Sequence, residues 1–393
     1  MSAMRYCLLC LALLLGGCVS VPPAPPSVPP VGKIPAPPVA PGVMLKPADW
    51  SQLTGWPDND ALSTWPAFLA NCELQKKQAA WQAVCAAAAS FAPKNDQQAR
   101  DFFERWLTPN QLVTDDGRDT GLITGYYEPL LFGSRKPSAR FRFPIYGTPA
   151  DMLNIDLSSV YPELKGYRLR GRLNGNKVVP YFNRAEIDAG RAPLQGRELL
   201  WVDDAVALFF LQVQGSGRVQ LEDGETVRVG YADQNGYPYV SIGKKLVEQG
   251  ELKLEQASMQ GIKQWGERNP EKLSALLNTN ASYVFFRELP PSANNSSGGP
   301  PGSLGLPLTA GRSLAVDPRA VALGSPVFLS TTWPNSTQPL NRLMLAQDTG
   351  GAIKGAIRAD FFWGFGEDAA KHAGSMRENG RMWVLLPRGQ DQH

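Results

Sequence analysis

Residues 342–366, RLMLAQDTGGAIKGAIRADFFWGFG, combine an apolar segment, two aspartates and several glycines. Asp348 ends the apolar segment, and Asp360 comes twelve residues later, directly before an aromatic run. Aromatic neighbours desolvate a carboxylate, which favours its protonated form and raises its pKa. A general acid that works near neutral pH needs such a carboxyl. We therefore predict chemistry at Asp360 and Asp348, against the alternative that both aspartates cap turns and the glycines serve hairpins.

Short apolar segments on both sides of this stretch are typical of β-strands. They cover residues 141–145, 198–202, 207–221, 283–286, 314–316, 326–329, 343–346 and 382–386. Helical patterns are fewer, and they cover residues 61–107, 252–266 and 367–378. Residues 290–307 are rich in Pro, Ser, Asn and Gly, which predicts a long surface loop or a crossing between domains. Many short strands with few helices favour a mainly β fold with accessory helices, built around a small barrel.

The composition excludes several classes of function. Among 393 residues, 43% are apolar, so most of the chain can bury a core. The net charge of +3 comes with no basic block, which argues against nucleic-acid binding. His372 and His393 are the only histidines, so a His-rich metal site or a Ser-His-Asp triad is not expected. The sequence therefore predicts chemistry by carboxylates, with no metal and no cofactor.

The first residues have the pattern of a bacterial lipoprotein signal. Residues 6–15 form an apolar run too short to span a bilayer of about 30 Å, and residues 1–17 are predicted to be a signal peptide. Two glycines precede Cys18, which is the predicted lipidated residue. Val19 follows in place of an aspartate, which favours an outer-membrane lipoprotein that faces the periplasm. The alternative is ordinary secretion with an incidental cysteine.

A tether and a cysteine pair follow the signal. Ten of the residues 22–41 are proline, so residues 18–45 are predicted to form an extended tether. Cys72 and Cys85 are the cysteines left in the body of the mature chain. In an oxidising periplasm they can form a disulfide between neighbouring helices, and the alternative is two free, buried thiols.

Residues 121–129 bring together several polar side chains. Alternation along a strand sends Tyr126 and Tyr127 to opposite faces, so that one can line a groove while the other packs in the core. Thr124 lies two residues before Tyr126. Glu128, next to Pro129, is expected to be exposed.

Other polar residues stand at the ends of predicted strands. Gln214 and Ser216 lie in LQVQGSG, residues 211–217, whose alternation predicts a strand with amides that can bind sugar hydroxyl groups. Asp317 precedes Pro318, which is typical of a turn residue. His372 is expected on the surface of a helix.

Several of these motifs, in this order, resemble the membrane-bound lytic murein transglycosylase A family. The resemblance covers roughly residues 45–390. It rests on ITGYYEP (123–129), VQGSG (213–217), GRSLAVD (311–317), LGSPVF (323–328) and DTGGAIKG (348–355). The C-terminal part resembles the "3D" domain, which is named for three aspartates, and Asp317, Asp348 and Asp360 match them.

The resemblance implies a body of two domains. Residues 46–129, with N-terminal helices, and residues 291–390 would form a double-psi β-barrel. Residues 130–290 would form a smaller inserted β-domain, with a glycan-binding groove between the two. Asp360 would be the catalytic acid and base, and Asp348 would support it. The expected substrate contacts are Thr124, Tyr126, Gln214, Ser216 and Asp317.

The implied reaction is the cleavage of the β-1,4 bond between N-acetylmuramic acid and N-acetylglucosamine in peptidoglycan, without water and with closure of a 1,6-anhydro ring. Glycan strands would be the main partner, the outer membrane would be reached through Cys18, and other cell-wall enzymes are further candidates as partners. Two rival functions stay open at this point. One is a hydrolase that uses Asp348 and Asp360 as a pair, and the other is a peptidoglycan-binding lipoprotein without catalysis.

Overall fold

A computed structural model describes residues 42–164, 167–290 and 298–388 of the chain. The predicted signal peptide (1–17), the lipidation site Cys18 and residues 18–41 of the predicted tether lie outside the described residues. The same holds for residues 291–297 of the predicted loop and for residues 389–390. In the part that is described, no helix is long and apolar enough to cross a membrane.

The elements are mostly short strands, as the sequence predicts. The strands are β1 Val43–Pro47, β2 Leu107–Thr114, β3 Gly121–Glu128, β4 Leu130–Ser134, β5 Phe143–Tyr146, β6 Leu153–Ile155, β7 Leu169–Asn174, β8 Lys177–Pro180, β9 Glu198–Val202, β10 Ser216–Leu221, β11 Thr226–Gln234, β12 Val284–Glu288, β13 Ser313–Val316, β14 Pro326–Thr332, β15 Pro339–Asp348, β16 Ala359–Phe365 and β17 Arg377–Pro387. The α-helices are α1 Trp65–Gln75, α2 Ala79–Ala89, α3 Asp96–Trp106, α4 Arg184–Asp188, α5 Ala205–Gln214, α6 Ile242–Glu248, α7 Met259–Arg268, α8 Pro270–Asn278 and α9 Glu367–Ser375. Short 3-10 helices cover Trp50–Gln52, Ala61–Thr64, Pro162–Leu164 and Leu254–Gln256.

Strands from the two ends of the described chain close into a barrel. Within the described residues the order is β17, β14, β15, β13, β16 and β3, and β3 pairs again with β17. β3 runs parallel to β16 and β13 runs parallel to β15, while the other pairs are antiparallel. Inward side chains such as Leu314, Val327, Met344 and Phe361 fill the interior and are fully buried. Strands β1 and β2 extend the sheet beyond β17. The mainly β architecture with accessory helices is confirmed.

Helices α1, α2 and α3 cover one side of the barrel. The predicted helical stretch 61–107 is broken at residues 76–78 and 90–95. Asn95 begins α3, because its side chain accepts a hydrogen bond from the backbone N–H of Gln98. Phe103 on α3 is fully buried against aromatic residues of α1. Cys72 on α1 and Cys85 on α2 form a disulfide, so of the two alternatives the structure has the bridged one.

A second sheet is built from the middle of the chain. Among the described residues its order is β12, β11, β10, β4, β9 and β5, and β6, β7 and β8 form a separate small sheet. β10 and β11 form a hairpin in which Val219 lies opposite Val227. Pro129 alone separates β3 of the barrel from β4 of this sheet. The chain therefore passes from one sheet to the other within one residue.

The predicted strand over residues 207–221 is wrong in its first half. Residues Ala205–Gln214 form α5, and the strand β10 begins at Ser216. Asp204 begins α5 by accepting hydrogen bonds from two backbone N–H groups, and Gly215 ends it with a positive φ of 79°. A helix that is apolar on most faces shows no clear 3.6-residue period, so its short Leu-Gln-Val-Gln stretch resembles strand alternation.

The helix predicted over residues 252–266 also begins later than expected. α7 covers Met259–Arg268, and its start is set by Ser258, whose hydroxyl accepts a hydrogen bond from the N–H of Gly261. A 3-10 turn over Leu254–Gln256 precedes it. The exposed side chain of Leu254 projects from that turn.

Candidate active site

Asp360 and Thr124 lie side by side on two parallel barrel strands. Asp360 on β16 is paired in register with Thr124 on β3, and on its other side it faces Ala315 of β13. The Thr124 hydroxyl donates a hydrogen bond to Oδ1 of Asp360 over 2.5 Å. Both residues belong to the motifs that the sequence singled out, and the barrel closure brings them together across 236 positions of chain.

The carboxyl of Asp360 has a raised pKa. Burial is the main cause, and it raises the pKa from 3.8 to about 6. The hydrogen bond from Thr124 and the positive charge of Arg358 act in the opposite direction, and the negative charge of Asp348 adds to the increase. A carboxyl with this pKa is present in both protonation states near neutral pH, which suits a group that must give and then take a proton.

Asp348, at the end of β15, is held by donors from three directions. Its Oδ2 accepts a hydrogen bond from the Tyr126 hydroxyl at 3.1 Å. Its Oδ1 accepts from the N–H and the hydroxyl of Ser303, at 2.9 and 2.8 Å, and from the N–H of Thr349 at 2.9 Å. The protein therefore makes three hydrogen bonds to Oδ1 and one to Oδ2. Ser303 has no sequence signal of its own, because it lies in a stretch where composition predicts only a loop.

Tyr126 is hydrogen-bonded to Asp348 and does not line the groove described below. Its ring is buried against Phe362, with centroids 5.1 Å apart. Burial, followed by the negative charges of Asp348 and Asp360, raises the pKa of its hydroxyl well above the ordinary range. The prediction that Tyr126 and Tyr127 face opposite sides is confirmed, because Tyr127 packs on Ala369 and Ala373 of α9 instead.

Arg358 is a member of the site that the sequence reasoning missed. Its Nη2 donates to the Thr124 hydroxyl oxygen at 2.9 Å. Its Nη1 donates to the backbone carbonyl groups of Ala359 at 2.6 Å and Leu122 at 3.3 Å. Burial lowers the pKa of its guanidinium. Arg358 stands two residues before Asp360 in the quoted motif, so alternation along the strand is the signal that could have found it.

A groove with a volume of about 1740 Å³ opens beside Thr124. The barrel side contributes β3, α9 and the start of β17. The opposite side consists of β4 of the second sheet and the helical segment around α6 and α7. Lining residues include Thr124, Ala370, Ala373, Arg377 and Glu378 on the first side and Leu130, Phe132, Ser241, Lys244 and Met259 on the second. Leu130 and Phe132 are exposed apolar side chains, so the groove offers flat apolar surface as well as charge.

Gln214 and Ser216 lie near the site but occupy other positions than expected. Gln214 ends α5, and its Oε1 accepts a hydrogen bond from the backbone N–H of Tyr127 at 3.2 Å. It thereby joins α5 to β3. Ser216 opens β10 and pairs with Gly230. Among the described residues that line the groove, neither Gln214 nor Ser216 is found.

Asp317 is a buried structural residue. It is 1% exposed, and its carboxylate accepts hydrogen bonds from the Arg319 side chain at 2.7 and 2.9 Å and from the N–H of Gly355 at 2.9 Å. Burial raises its pKa, but the bonds from Arg319 and Gly355 outweigh that effect and hold the pKa at about 2. A substrate contact needs an accessible oxygen. The turn role that its residue type indicates fits this geometry, and the expected substrate contact does not.

Two further expectations are wrong. Glu128 is fully buried and not exposed, because it forms ion pairs with Arg218 at 2.8 Å and Arg228 at 3.4 Å. His372 is partly buried and not a free surface residue, because its ring stacks on Trp363 with centroids 4.6 Å apart. Single-residue exposure depends on partners that are distant in sequence, which local patterns do not show. In the described part of the chain, no group of three or more His, Cys, Asp or Glu residues could hold a metal ion.

Comparisons with known proteins agree with the motif resemblance. The MltA-specific insert domain matches residues 122–287, and the 3D domain matches residues 312–386. Membrane-bound lytic murein transglycosylase A of Vibrio cholerae is 34% identical over 284 residues, which are 70% of this chain and 68% of that protein.

Solved structures show the same relationship. The crystal structure of MltA from Neisseria gonorrhoeae is 39% identical with a TM-score of 0.76, and the match covers 89% of this chain and 94% of that one. E. coli MltA with bound chitohexaose is 25% identical with a TM-score of 0.64, over 88% and 92% of the two chains. By its domains, its curated relative and its fold, this chain belongs to the membrane-bound lytic murein transglycosylase A family.

Proposed function

We propose that this protein is a lytic transglycosylase of peptidoglycan that cleaves the β-1,4 bond between N-acetylmuramic acid and N-acetylglucosamine. Its relatives carry the name of lytic murein transglycosylase A, and the E. coli relative binds the oligosaccharide chitohexaose. The observation that carries the mechanism is a single carboxyl, Asp360, with a pKa raised to about 6, hydrogen-bonded to Thr124 in the lining of a large groove.

In the proposed mechanism, Asp360 acts twice. It starts protonated and gives its proton to the glycosidic oxygen as the bond from that oxygen to C1 of the muramoyl residue breaks. An oxocarbenium-like state develops at C1. The C6 hydroxyl of the same sugar then attacks C1, and the ionised Asp360 takes the proton of that hydroxyl. The product is a 1,6-anhydro ring, and Asp360 ends protonated as it began. Because the attacking group belongs to the substrate, no second carboxylate is required to activate water.

Asp348 is suited to an electrostatic role. Its two oxygens accept four hydrogen bonds from Tyr126, Ser303 and Thr349, so a sugar or a water at this carboxyl would have to compete with these donors. Its negative charge raises the pKa of Asp360 and would stabilise positive charge at the sugar. This arrangement favours the transglycosylase over a hydrolase that uses the pair of aspartates as acid and base.

We also propose that the glycan lies between a barrel domain, residues 46–129 with 291–390, and an inserted domain, residues 130–290. The groove that Thr124 borders has one wall from each. Thr124 remains a proposed substrate contact, and the apolar faces of Leu130 and Phe132 would pack against sugar rings. Gln214 would act through its hydrogen bond to the backbone N–H of Tyr127 on β3, and Tyr126 would act through Asp348.

The test is the mass of the products released from peptidoglycan by the purified protein in water enriched in oxygen-18. We expect anhydromuramic ends that are one water lighter than hydrolysed ends and carry no label. Reducing ends that carry the heavy oxygen would mean hydrolysis. Bound glycan without any product would mean a binding protein.

We further propose that the protein is an outer-membrane lipoprotein, anchored through Cys18 and facing the periplasm. The relatives are named membrane-bound, and Gly16-Gly17-Cys18 is the lipidation pattern. The disulfide between Cys72 and Cys85 supports an oxidising compartment.

Cys18→Ser should release the protein from membranes, because the thiol that accepts the lipid is removed. Fractionation of cells into soluble and outer-membrane protein measures this. Cys10→Ser, which changes a cysteine of the signal peptide before the lipidation site, serves as the control and should leave the protein in the outer membrane. Persistence of the Cys18→Ser protein there would contradict the anchor.

A further inference from the structure

Arg358, Thr124 and Asp360 form a chain of hydrogen bonds with a fixed direction. A guanidinium can only donate, so the bond of 2.9 Å between Arg358 Nη2 and Thr124 Oγ1 uses a lone pair of the threonine oxygen. The hydroxyl hydrogen of Thr124 is then free to point along the 2.5 Å contact to Oδ1 of Asp360. In this arrangement Oδ1 is an acceptor.

The direction of the chain decides which oxygen of Asp360 carries a proton. If the proton were on Oδ1, it would point at the hydroxyl hydrogen of Thr124. One of these two hydrogens would then be left without a hydrogen-bond acceptor in a partly buried site. Among the described residues, no protein donor makes a hydrogen bond to Oδ2. The Tyr126 hydroxyl does not compete for it, because it donates to Asp348.

We propose that Arg358 is a positioning residue that, through Thr124, keeps Oδ1 of Asp360 an acceptor and so confines the catalytic proton to Oδ2. This inference rests on the proposed role of Asp360 as acid and base. The same oxygen would then release the proton to the glycosidic oxygen and recover it from the C6 hydroxyl. The residue that orients the acid would lie two positions before it, directly ahead of β16.

The charged and titratable groups around Asp360 are few. Tyr126 faces it from β3, Asp348 faces it from the end of β15, and Arg358 directly precedes β16. On β13, the residue paired with Asp360 is Ala315, which does not titrate. Arg358 is the positive group that acts on Asp360, so its removal should raise the pKa of the acid.

A purely structural role for Arg358 is the competing explanation. Its bonds to the carbonyl groups of Leu122 and Ala359 tie the start of β16 to β3. Loss of these bonds alone would lower stability without changing the proton equilibrium of Asp360. The experiment therefore needs a readout of that equilibrium.

The experiment compares Arg358→Met, Arg358→Lys and Thr124→Val, each in the full chain, together with the double variant Arg358→Met/Thr124→Val. Two quantities are measured: the pH dependence of anhydro-product release from peptidoglycan, and the titration of Asp360 by carbon-13 NMR of labelled aspartate, assigned with Asp360→Asn. Arg381→Met is the control, because Arg381 lies in an exposed ion pair with Asp119.

We expect Arg358→Met to slow product release about 30-fold and to raise the pKa of Asp360 by about one unit. Arg358→Lys, which keeps the donor and the charge, should recover the rate to within about threefold. In the Thr124→Val background, Arg358→Met should change the rate by less than about threefold, because the chain is already broken. Arg381→Met should change neither quantity.

Rate effects of Arg358→Met and Thr124→Val that multiply would overturn the inference, as would an unshifted Asp360 titration in a folded Arg358→Met protein. If Arg358→Met does not fold, an Arg358→Lys protein that stays folded but is as slow as Thr124→Val overturns it equally. The NMR titration needs no turnover. A wild-type protein that makes no anhydro ends would therefore defeat the proposed function, while the pKa shifts still test the chain of hydrogen bonds.

Discussion

Asp360→Asn should reduce the release of anhydro products by about 10³-fold or more, because an amide can neither give the proton nor take it back. The fold should persist, since asparagine has nearly the same shape and its side-chain oxygen can still accept the hydrogen bond of the Thr124 hydroxyl. Product release from peptidoglycan, with circular dichroism as the check on folding, measures this.

The same substitution should make the protein more stable at higher pH. The pKa of Asp360 in the folded protein, about 6, lies above its ordinary value of 3.8. The protonated carboxyl therefore favours the folded state below a pH of about 4, and this contribution is lost as the pH rises through 6. Asparagine imitates the neutral form at every pH. Above pH 7 we expect Asp360→Asn to unfold at higher urea concentration, by about 1–3 kcal/mol in the free energy of unfolding.

The wild-type rate should also decrease as the pH rises through the pKa of Asp360. Because the acid must start protonated, kcat/KM should fall about tenfold for each pH unit above the pKa of Asp360. Asp101→Asn is the control, since Asp101 is exposed on α3, and it should change neither the rate nor the stability profile. Folded Asp360→Asn protein that retains substantial turnover would contradict the assignment of the acid.

Two aspartates twelve residues apart thus have different environments. Asp360 is partly buried and receives one hydrogen bond from the protein, whereas Asp348 receives four. The difference follows from where each residue stands on its strand. Asp360 lies inside β16, between β3 and β13, while Asp348 ends β15 at a turn where backbone N–H groups are available. Environments that differ in this way can give two carboxyl groups separate roles in one reaction.

The sequence could predict those features that depend on local chemistry. The aromatic run after Asp360, the apolar strands around it and the cap at Asn95 are all visible in short windows. Ser303 could not be found in the same way, because its importance comes from a partner more than 40 positions away. The prediction for the segment that forms α5 was wrong for another reason. This helix is buried on several sides, so its sequence lacks the 3.6-residue period of apolar residues that distinguishes a helix.

The burial of Glu128 could not be predicted either, because its partners are also distant in sequence. We expect its replacement to have a large effect on stability. It ends β3, and its side chain is fully buried between Arg218 of β10 and Arg228 of β11. The guanidinium of Arg218 also lies 4.0 Å from the centroid of the Phe365 ring, at the end of β16. The cluster therefore joins two strands of the barrel to two strands of the inserted sheet.

Glu128→Gln should lower the free energy of unfolding by about 3–5 kcal/mol, because two arginines would remain largely buried without their counter-charge. Urea unfolding followed by tryptophan fluorescence measures this. Glu73→Gln is the matched control. Glu73 pairs with Lys76 at 2.6 Å, but both side chains are more than half exposed, so solvent screens the pair and the loss should stay below about 1 kcal/mol.

Equal losses in the two variants would show that the buried cluster contributes no more than a surface pair. If Glu128→Gln loses much more stability than Glu73→Gln, a second substitution can show whether the lost charge is the cause. The double variant Glu128→Gln/Arg228→Met lacks the carboxylate but also carries one positive charge fewer than Glu128→Gln. If uncompensated positive charge causes the loss of stability, the double variant should recover part of it. If the double variant is as unstable as the sum of the single ones, the hydrogen bonds to Glu128, and not its charge, hold the two sheets together.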